Sequence, residues 1–233
     1  VLDRMYSEYS KELLTIPAMP EFQFLRAQKQ VYDHLTDQYF SYSGPTSMGK
    51  SFIVRMFLKS QVESGVEKNF ALIVPTKALI NEVTSKIIND LKENLKKYNY
   101  RLVTSAGALV LKEQHNFIFV LTPERLLYLL ISNPDLELHY LFVDEAHKLS
   151  EVDSRGPFYY KVIDKLVERK NKPHVIFASP NIPNPEIYLR SIPDIETPEK
   201  WKLASSFSPV TQFKFLISFR QRSISMFNDY SRT

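Results

Sequence analysis

The chain has 233 residues, 44% of them apolar and 24% charged, with a formal net charge of +4 and no cysteine. That length can bury a full core, and the composition excludes a disulfide framework and a thiolate metal site and points to the cytoplasm. No run approaches the roughly 18 uncharged apolar residues of a membrane span, and no basic-then-apolar leader opens the chain, so no membrane partner is expected.

In chain order, residues 1–20 combine an amphipathic pattern (Leu2, Met5, Tyr6, Tyr9, Leu13) with the proline-punctuated connector TIPAMP. Short β-branched or aromatic runs, most of them bounded by Pro, Gly or Asn, predict strands at Tyr39–Ser43, Phe70–Val74, Arg101–Thr104, Phe117–Leu121, Tyr140–Val143 and His174–Ala178. Between them, helices are predicted over 51–65, closed by Gly65, over 78–98, over 123–132 and over 158–169. In the second of these, Leu79, Val83, Ile87, Leu91 and Leu95 recur at every fourth position. Strand–helix alternation of this kind predicts an α/β fold of three layers, a mainly parallel sheet covered by helices on both faces.

Residues 180–209 are dense in proline and read as a crossing linker. Beyond them VTQFKFLISF alternates like a new strand that the chain leaves without a partner. A start at Val1 and an end at Ser-Arg-Thr suggest an excised segment of a longer protein. The expected organisation is therefore an N-terminal helix and connector (1–20), a main domain (21–179), a linker (180–209) and the start of another unit (210–233).

Residues 44–51 read GPTSMGKS and fit G-x-x-x-x-G-K-[ST]: Gly44, Pro45, Thr46, Ser47, Met48, Gly49, Lys50, Ser51. In such a loop backbone N–H groups wrap a polyphosphate, the lysine reaches its outer phosphates and the hydroxyl holds Mg2+. The loop lies between a predicted strand and a predicted helix, whose N-terminal partial charge adds to the anion site. A second motif, LFVDEAH (141–147), is an apolar strand that delivers two carboxylates at its C-terminal end. Ligands of open α/β sheets gather there. Asp144 is expected to share Mg2+ with Ser51, and Glu145 to orient or deprotonate an attacking water.

With DEAH at 144–147 downstream of GPTSMGKS, the sequence resembles a superfamily 2 helicase of the DExD/H type. Further stretches follow in the order of that family's motifs. RAQKQ (26–30) resembles its adenine-reading motif, PTKAL (75–79) motif Ia and TPERLL (122–127) motif Ib. SPNIPN (179–184) stands where the family has S-A-T, and its continuation is similar to the Ski-like branch. The resemblance implies the ATP-binding, RecA-like N-terminal domain of a P-loop NTPase, with ATP and Mg2+ as cofactors. Its implied partners are nucleic acid and a second RecA-like domain of the same full-length chain.

Carried over residue by residue, the resemblance implies that Gln28 pairs with adenine, since a carboxamide both donates and accepts. It implies that Pro75, Thr76, Lys77, Thr122, Pro123 and Arg125 bind a sugar-phosphate backbone without reading sequence, with TSAG (104–107) adding Gly107. His147, Ser179 and Asn181 would couple ATP to strand movement. Here the sequence departs from the family: Pro180 replaces alanine and has no N–H, and Asn181 replaces threonine. The implied function is ATP-driven translocation on, or unwinding of, nucleic acid, with this segment alone a weak ATPase. The alternative is an ATP-gated binding or scaffold module without unwinding. A small-molecule kinase would leave PTKAL, TPER and DEAH unexplained.

The remaining features read as structural. His34, His115, His139 and His174 lack metal-ligand spacing. Lys92, Lys96, Lys97 and Arg101 read as the wet face of a helix, and Phe22 and Phe24 as core packing.

Overall fold

A computed structural model describes residues 2–105, 115–150, 156–193, 195–196, 201–205, 213–218 and 223–228. Helix α1 (Leu2–Leu14) leads into a two-stranded antiparallel ribbon, β1 (Thr15–Ile16) and β2 (Met19–Gln23). The stretch expected to be a bare connector is thus a small ribbon, held down where Ile16 and Phe24 pack with Met56.

The main sheet has seven strands. They are β3 (Tyr39–Ser43), β4 (Phe70–Ile73), β5 (Tyr100–Val103), β6 (Asn116–Leu121), β7 (Tyr140–Val143), β8 (His174–Ser179) and β9 (Lys202–Ala204), in spatial order β5-β6-β4-β7-β8-β3-β9. Every pairing is parallel. Helices α2 (Arg26–Asp33), α3 (Lys50–Glu63), α4 (Lys77–Leu91) and α5 (Glu93–Lys97) lie on one side, and α6 (Pro123–Ser132) and α7 (Gly156–Val167) on the other.

The two-residue period of a strand sorts the core. Phe40, Tyr42, Phe70, Leu72, Ile118, Val120, Tyr140, Phe142 and Ile176 pack under α2–α4. Their alternates Ala71, Ile73, Phe119, Leu121, Leu141, Val143, Val175 and Phe177 pack under α6 and α7. Strands buried on both faces read as continuous apolar runs, which is why they were visible in sequence.

Three departures have physical causes. The helix expected over 78–98 breaks at Lys92, whose φ is 41°. Apolar residues spaced by four drift about 40° per step around a helix of 3.6 residues per turn. A straight helix would have carried Leu95 far off the face that buries Val83, Ile87 and Leu91. The break re-aims the chain so that Leu95 and Tyr98 still pack on that core.

The second departure is the proline-dense stretch read as a linker. Residues Pro185–Ser191 form a 3-10 helix, and Tyr188, Leu189 and Ile192 enter the core beside α7. The Ser41 hydroxyl donates to the Pro185 carbonyl (2.6 Å), the Ser43 hydroxyl to that of Ile182 (2.7 Å), and β9 closes the sheet edge beside β3. Prolines stop helices, but they do not keep a chain out of a core when buried hydroxyls satisfy its carbonyls.

Third, the strand expected to end unpartnered does have a partner. β10 (Phe213–Ser218) pairs antiparallel with β11 (Ser223–Asn228), Phe213 opposite Asn228 and Ser218 opposite Ser223. No helix among the described residues is long and apolar enough to cross a membrane.

Candidate functional site

Parallel register brings the motif residues to one edge of the sheet. Ser43, before the glycine loop, lies opposite Ser179 and Ala204. Ile73, before PTKAL, lies opposite Leu121, before TPERLL, and opposite Val143, before DEAH.

The loop itself runs from β3 through one 3-10 turn, Thr46–Met48, into α3. Gly49 caps α3 at φ 79°, a left-handed conformation that suits glycine, and the Cβ of any other residue would stand 3.2 Å from Gln28 Nε2. Gly44 leaves the space that the Met48 side chain fills, so a Cβ there would overlap Met48 Sδ. Met48, a bulky apolar residue inside the loop, is fully buried. The Lys50 ammonium, 5% exposed, donates to the carbonyls of Gly44 (3.0 Å) and Pro45 (3.4 Å). Burial lowers its pKa, and the Glu145 and Asp144 carboxylates partly restore it.

Gln28 is bound to this loop. Its Oε1 accepts from the Leu25 N–H (2.9 Å) and its Nε2 donates to the Met48 carbonyl (2.9 Å). One partner is a pure donor and the other a pure acceptor, so the orientation of the carboxamide is unambiguous. Of the two nearby phenylalanines, Phe24 is core, 4.9 Å from the Tyr32 ring, whereas Phe22 is exposed.

At the end of β7 the Asp144 N–H donates to the Ile73 carbonyl (3.0 Å), and Asp144 Oδ1 accepts from the Glu145 N–H (3.0 Å). Glu145 is itself left-handed at φ 53°, a conformation that costs a non-glycine residue about 1–2 kcal/mol. The 3-10 helix Ala146–Leu149 that follows buries Ala146 and Leu149 and holds it there. His147 Nδ1 lies 3.2 Å from Glu145 Oε2.

A cavity of about 30 Å³ is lined by Lys50, Ser51 and Asp144, with Tyr42, Arg55, Phe142 and Ile176. A hydroxyl and a carboxylate on one small cavity, beside a buried lysine, are the hard oxygen donors that Mg2+ takes when it also binds phosphate. The residues fit the group expected of them.

Burial, reinforced by the Glu145 carboxylate, pushes the Asp144 carboxyl up from 3.8 to about 6, while the Glu145 N–H, Lys50 and His147 pull it down. An acid with a raised folded-state pKa binds more protons folded than unfolded. Its contribution is therefore most favourable below 3.8 and is lost as pH rises through about 6. Asp144→Asn is expected to stabilise the nucleotide-free chain at neutral pH by about 1–3 kcal/mol. It should also flatten the pH dependence across that window. Denaturant melts at both ends of the window check this, and identical midpoints at neutral pH would contradict it.

A second concavity lies along the same edge, about 510 Å³, lined by Thr76, Lys77, Thr122, Glu124 and Arg125. Thr76 caps α4, accepting from the Leu79 N–H (3.3 Å), and Pro123 opens α6. Pro75 and Thr122 are buried, whereas Lys77 is exposed. Arg125 donates to the Thr104 carbonyl (2.8 Å), which ties α6 to the end of β5. Glu124 was not anticipated in this concavity, because a first-turn acid reads as a helix-dipole partner. Gly107 lies outside the described residues.

Ser179 is fully buried, its hydroxyl donating to the Tyr42 carbonyl (3.3 Å) and its carbonyl accepting from the Gly44 N–H (3.3 Å). Asn181 is exposed. The third motif therefore braces the glycine loop from below. Burial and the Asp144 carboxylate push the Tyr42 phenol well above its ordinary pKa. Tyr42 went unsuspected in sequence, where an aromatic residue inside a strand signals core.

Two comparisons bear on this arrangement. The chain is 29% identical to an uncharacterized ATP-dependent helicase of Methanocaldococcus jannaschii, across 62% of this chain and 24% of that protein. The match thus spans about a quarter of that relative's length. The family model for the DEAD/DEAH box helicase matches residues 25–187, from the Gln28 helix through both cavities to the buried 3-10 helix beyond Ser179. With that match over most of its length and a seven-stranded parallel RecA-like sheet, the chain belongs to the DEAD/DEAH box helicase family.

Proposed function

We propose that this chain binds ATP with Mg2+ and serves as the nucleotide-driven half of a helicase or translocase. The observation that carries the reading is that the cavity of Lys50, Ser51 and Asp144 and the concavity of Thr76, Lys77, Thr122 and Arg125 share one edge of the sheet. Ser51 and Asp144 would hold the metal ion, which neutralises charge on the phosphates. Lys50 leaves the Gly44 and Pro45 carbonyls for the outer phosphates. Glu145 takes a proton from the attacking water on its carboxylate. Gln28 uses its remaining N–H and lone pair on adenine while it holds the loop through Met48. Pro75, Thr76, Lys77, Thr122, Pro123, Arg125 and Gly107 are assigned to nucleic-acid binding, and His147, Ser179 and Asn181 to transmitting the state of the loop.

Phosphoryl transfer also needs a cation opposite Lys50. Arg55, which lines the cavity, is ion-paired to Asp90 (3.1 Å), so we assign that cation to a second RecA-like lobe and expect slow hydrolysis by this chain alone. Residues 1–20 and 210–233 are read as flanking pieces of the longer protein, the latter the start of that lobe. Contacts made mainly to phosphates predict sequence-tolerant binding that weakens steeply with salt.

A strand-displacement assay on the full-length protein tests the reading. ATP-dependent displacement supports it, and ATP-dependent binding without displacement supports a second one, an ATP-gated scaffold. One observation favours the second reading: the Ser179 hydroxyl is committed to the Tyr42 carbonyl, and Pro180 offers no N–H. Failure to bind ATP at all refutes both.

A further inference from the structure

Tyr42 lies on β3 two residues before Gly44, fully buried on the face covered by α2–α4. Its hydroxyl has no hydrogen-bond partner among the described residues. Burying a hydroxyl that way is disfavoured relative to phenylalanine, which the same face carries at Phe40 and Phe142. Tyr42 lines the cavity shared by Lys50, Ser51 and Asp144, and the Asp144 charge acts on its phenol.

An ordered water needs about 10–15 Å³ and two to four polar partners. This cavity has about 30 Å³, and the residues that line it carry a phenol, an ammonium, a guanidinium, a hydroxyl and a carboxylate. The rest of its wall is largely apolar, with Val54, Leu72, Val74, Val83 and Ile176. A water there bonds to the polar groups or to nothing. Asp144 Oδ1 already accepts from the Glu145 N–H, so Oδ2 is the oxygen left for it.

We propose that Tyr42 is a positioning residue: through one buried water its Oη–H group is linked to Asp144 Oδ2, which fixes the rotamer of that carboxylate beside Ser51. The proposal rests on reading Ser51 and Asp144 as the metal-binding pair. Groups that hydrogen-bond to a metal-binding carboxylate generally orient it and strengthen its hold on the ion.

Tyr42→Phe removes one oxygen and keeps the ring. With the 233-residue chain and a fluorescent ATP analogue titrated with magnesium chloride, half-saturating Mg2+ should rise about tenfold in the variant. Analogue affinity in chelator should stay unchanged, which loss of packing alone would not produce. A high-resolution crystal structure of the parent chain should resolve a water within hydrogen-bond distance of both Tyr42 Oη and the Asp144 carboxylate, absent from the variant. A dry cavity in the parent chain, or an unaltered magnesium dependence in Tyr42→Phe, overturns the proposal. Failure of the nucleotide reading looks different, since the parent chain would then not bind the analogue, and the crystallographic water alone would decide the role of Tyr42.

Discussion

A Glu145→Gln variant of the full-length protein is expected to bind ATP with near-parental affinity and to hydrolyse it about 10²–10⁴ times more slowly, the range that a positioned general base contributes. The swap keeps the size of the side chain, and the left-handed backbone at 145 is held by the buried residues Ala146 and Leu149 rather than by the carboxylate. What is lost is the ability to accept a proton. The change also removes the second-largest cause of the raised Asp144 pKa, so the Asp144 carboxyl should titrate lower in the variant. Steady-state ATPase rates, analogue binding and a pH titration of Asp144 read these three outcomes separately. Parental turnover in the variant would remove Glu145 from its role.

The second large effect belongs to Lys50→Ala. A buried ammonium that leaves two loop carbonyls for phosphate oxygens replaces neutral acceptors with charged ones, and such charge-assisted bonds contribute about 1.5–3 kcal/mol. Nucleotide affinity should therefore fall roughly 10- to 150-fold. Stability of the nucleotide-free chain should change little, because the lost bonds to the Gly44 and Pro45 carbonyls are offset by no longer burying a cation. Analogue titration and thermal melting separate the two effects. Unchanged affinity would mean that the loop does not grip phosphate.

The limits of sequence reading show in particular residues. β3 and β7 and helix α6 were legible to the residue, because β7 is an unbroken apolar run, β3 carries Tyr39, Phe40 and Tyr42 and stops before Gly44, and α6 opens on proline and ends before Asn133. The break at Lys92 was not legible. The fourfold spacing of leucines looks like a continuous helix until the drift of that spacing is set against one flat sheet. The ends of β3 and β7, which carry the glycine loop and the two acids, lie on one edge of the sheet as expected, because parallel strands of one sheet end on the same side. The roles of Ser41 and Ser43 were hidden: a serine in a strand says nothing until the carbonyls of Ile182 and Pro185 arrive above it.

By itself the sequence determined six strands of the main sheet and, but for the break at Lys92, the helices between them, and that a cation and a hydroxyl follow the glycine loop. These depend on periodicity and on neighbours within a few residues. Tertiary structure alone decided that Gln28 holds the loop through Met48, that Ser179 braces it from below, that Lys202–Ala204 join the sheet, and that Tyr42 and Asp144 line one cavity. Each joins groups tens of residues apart. The satisfaction of a buried polar atom is a property of what folding brings next to it, not of the residues beside it in the chain.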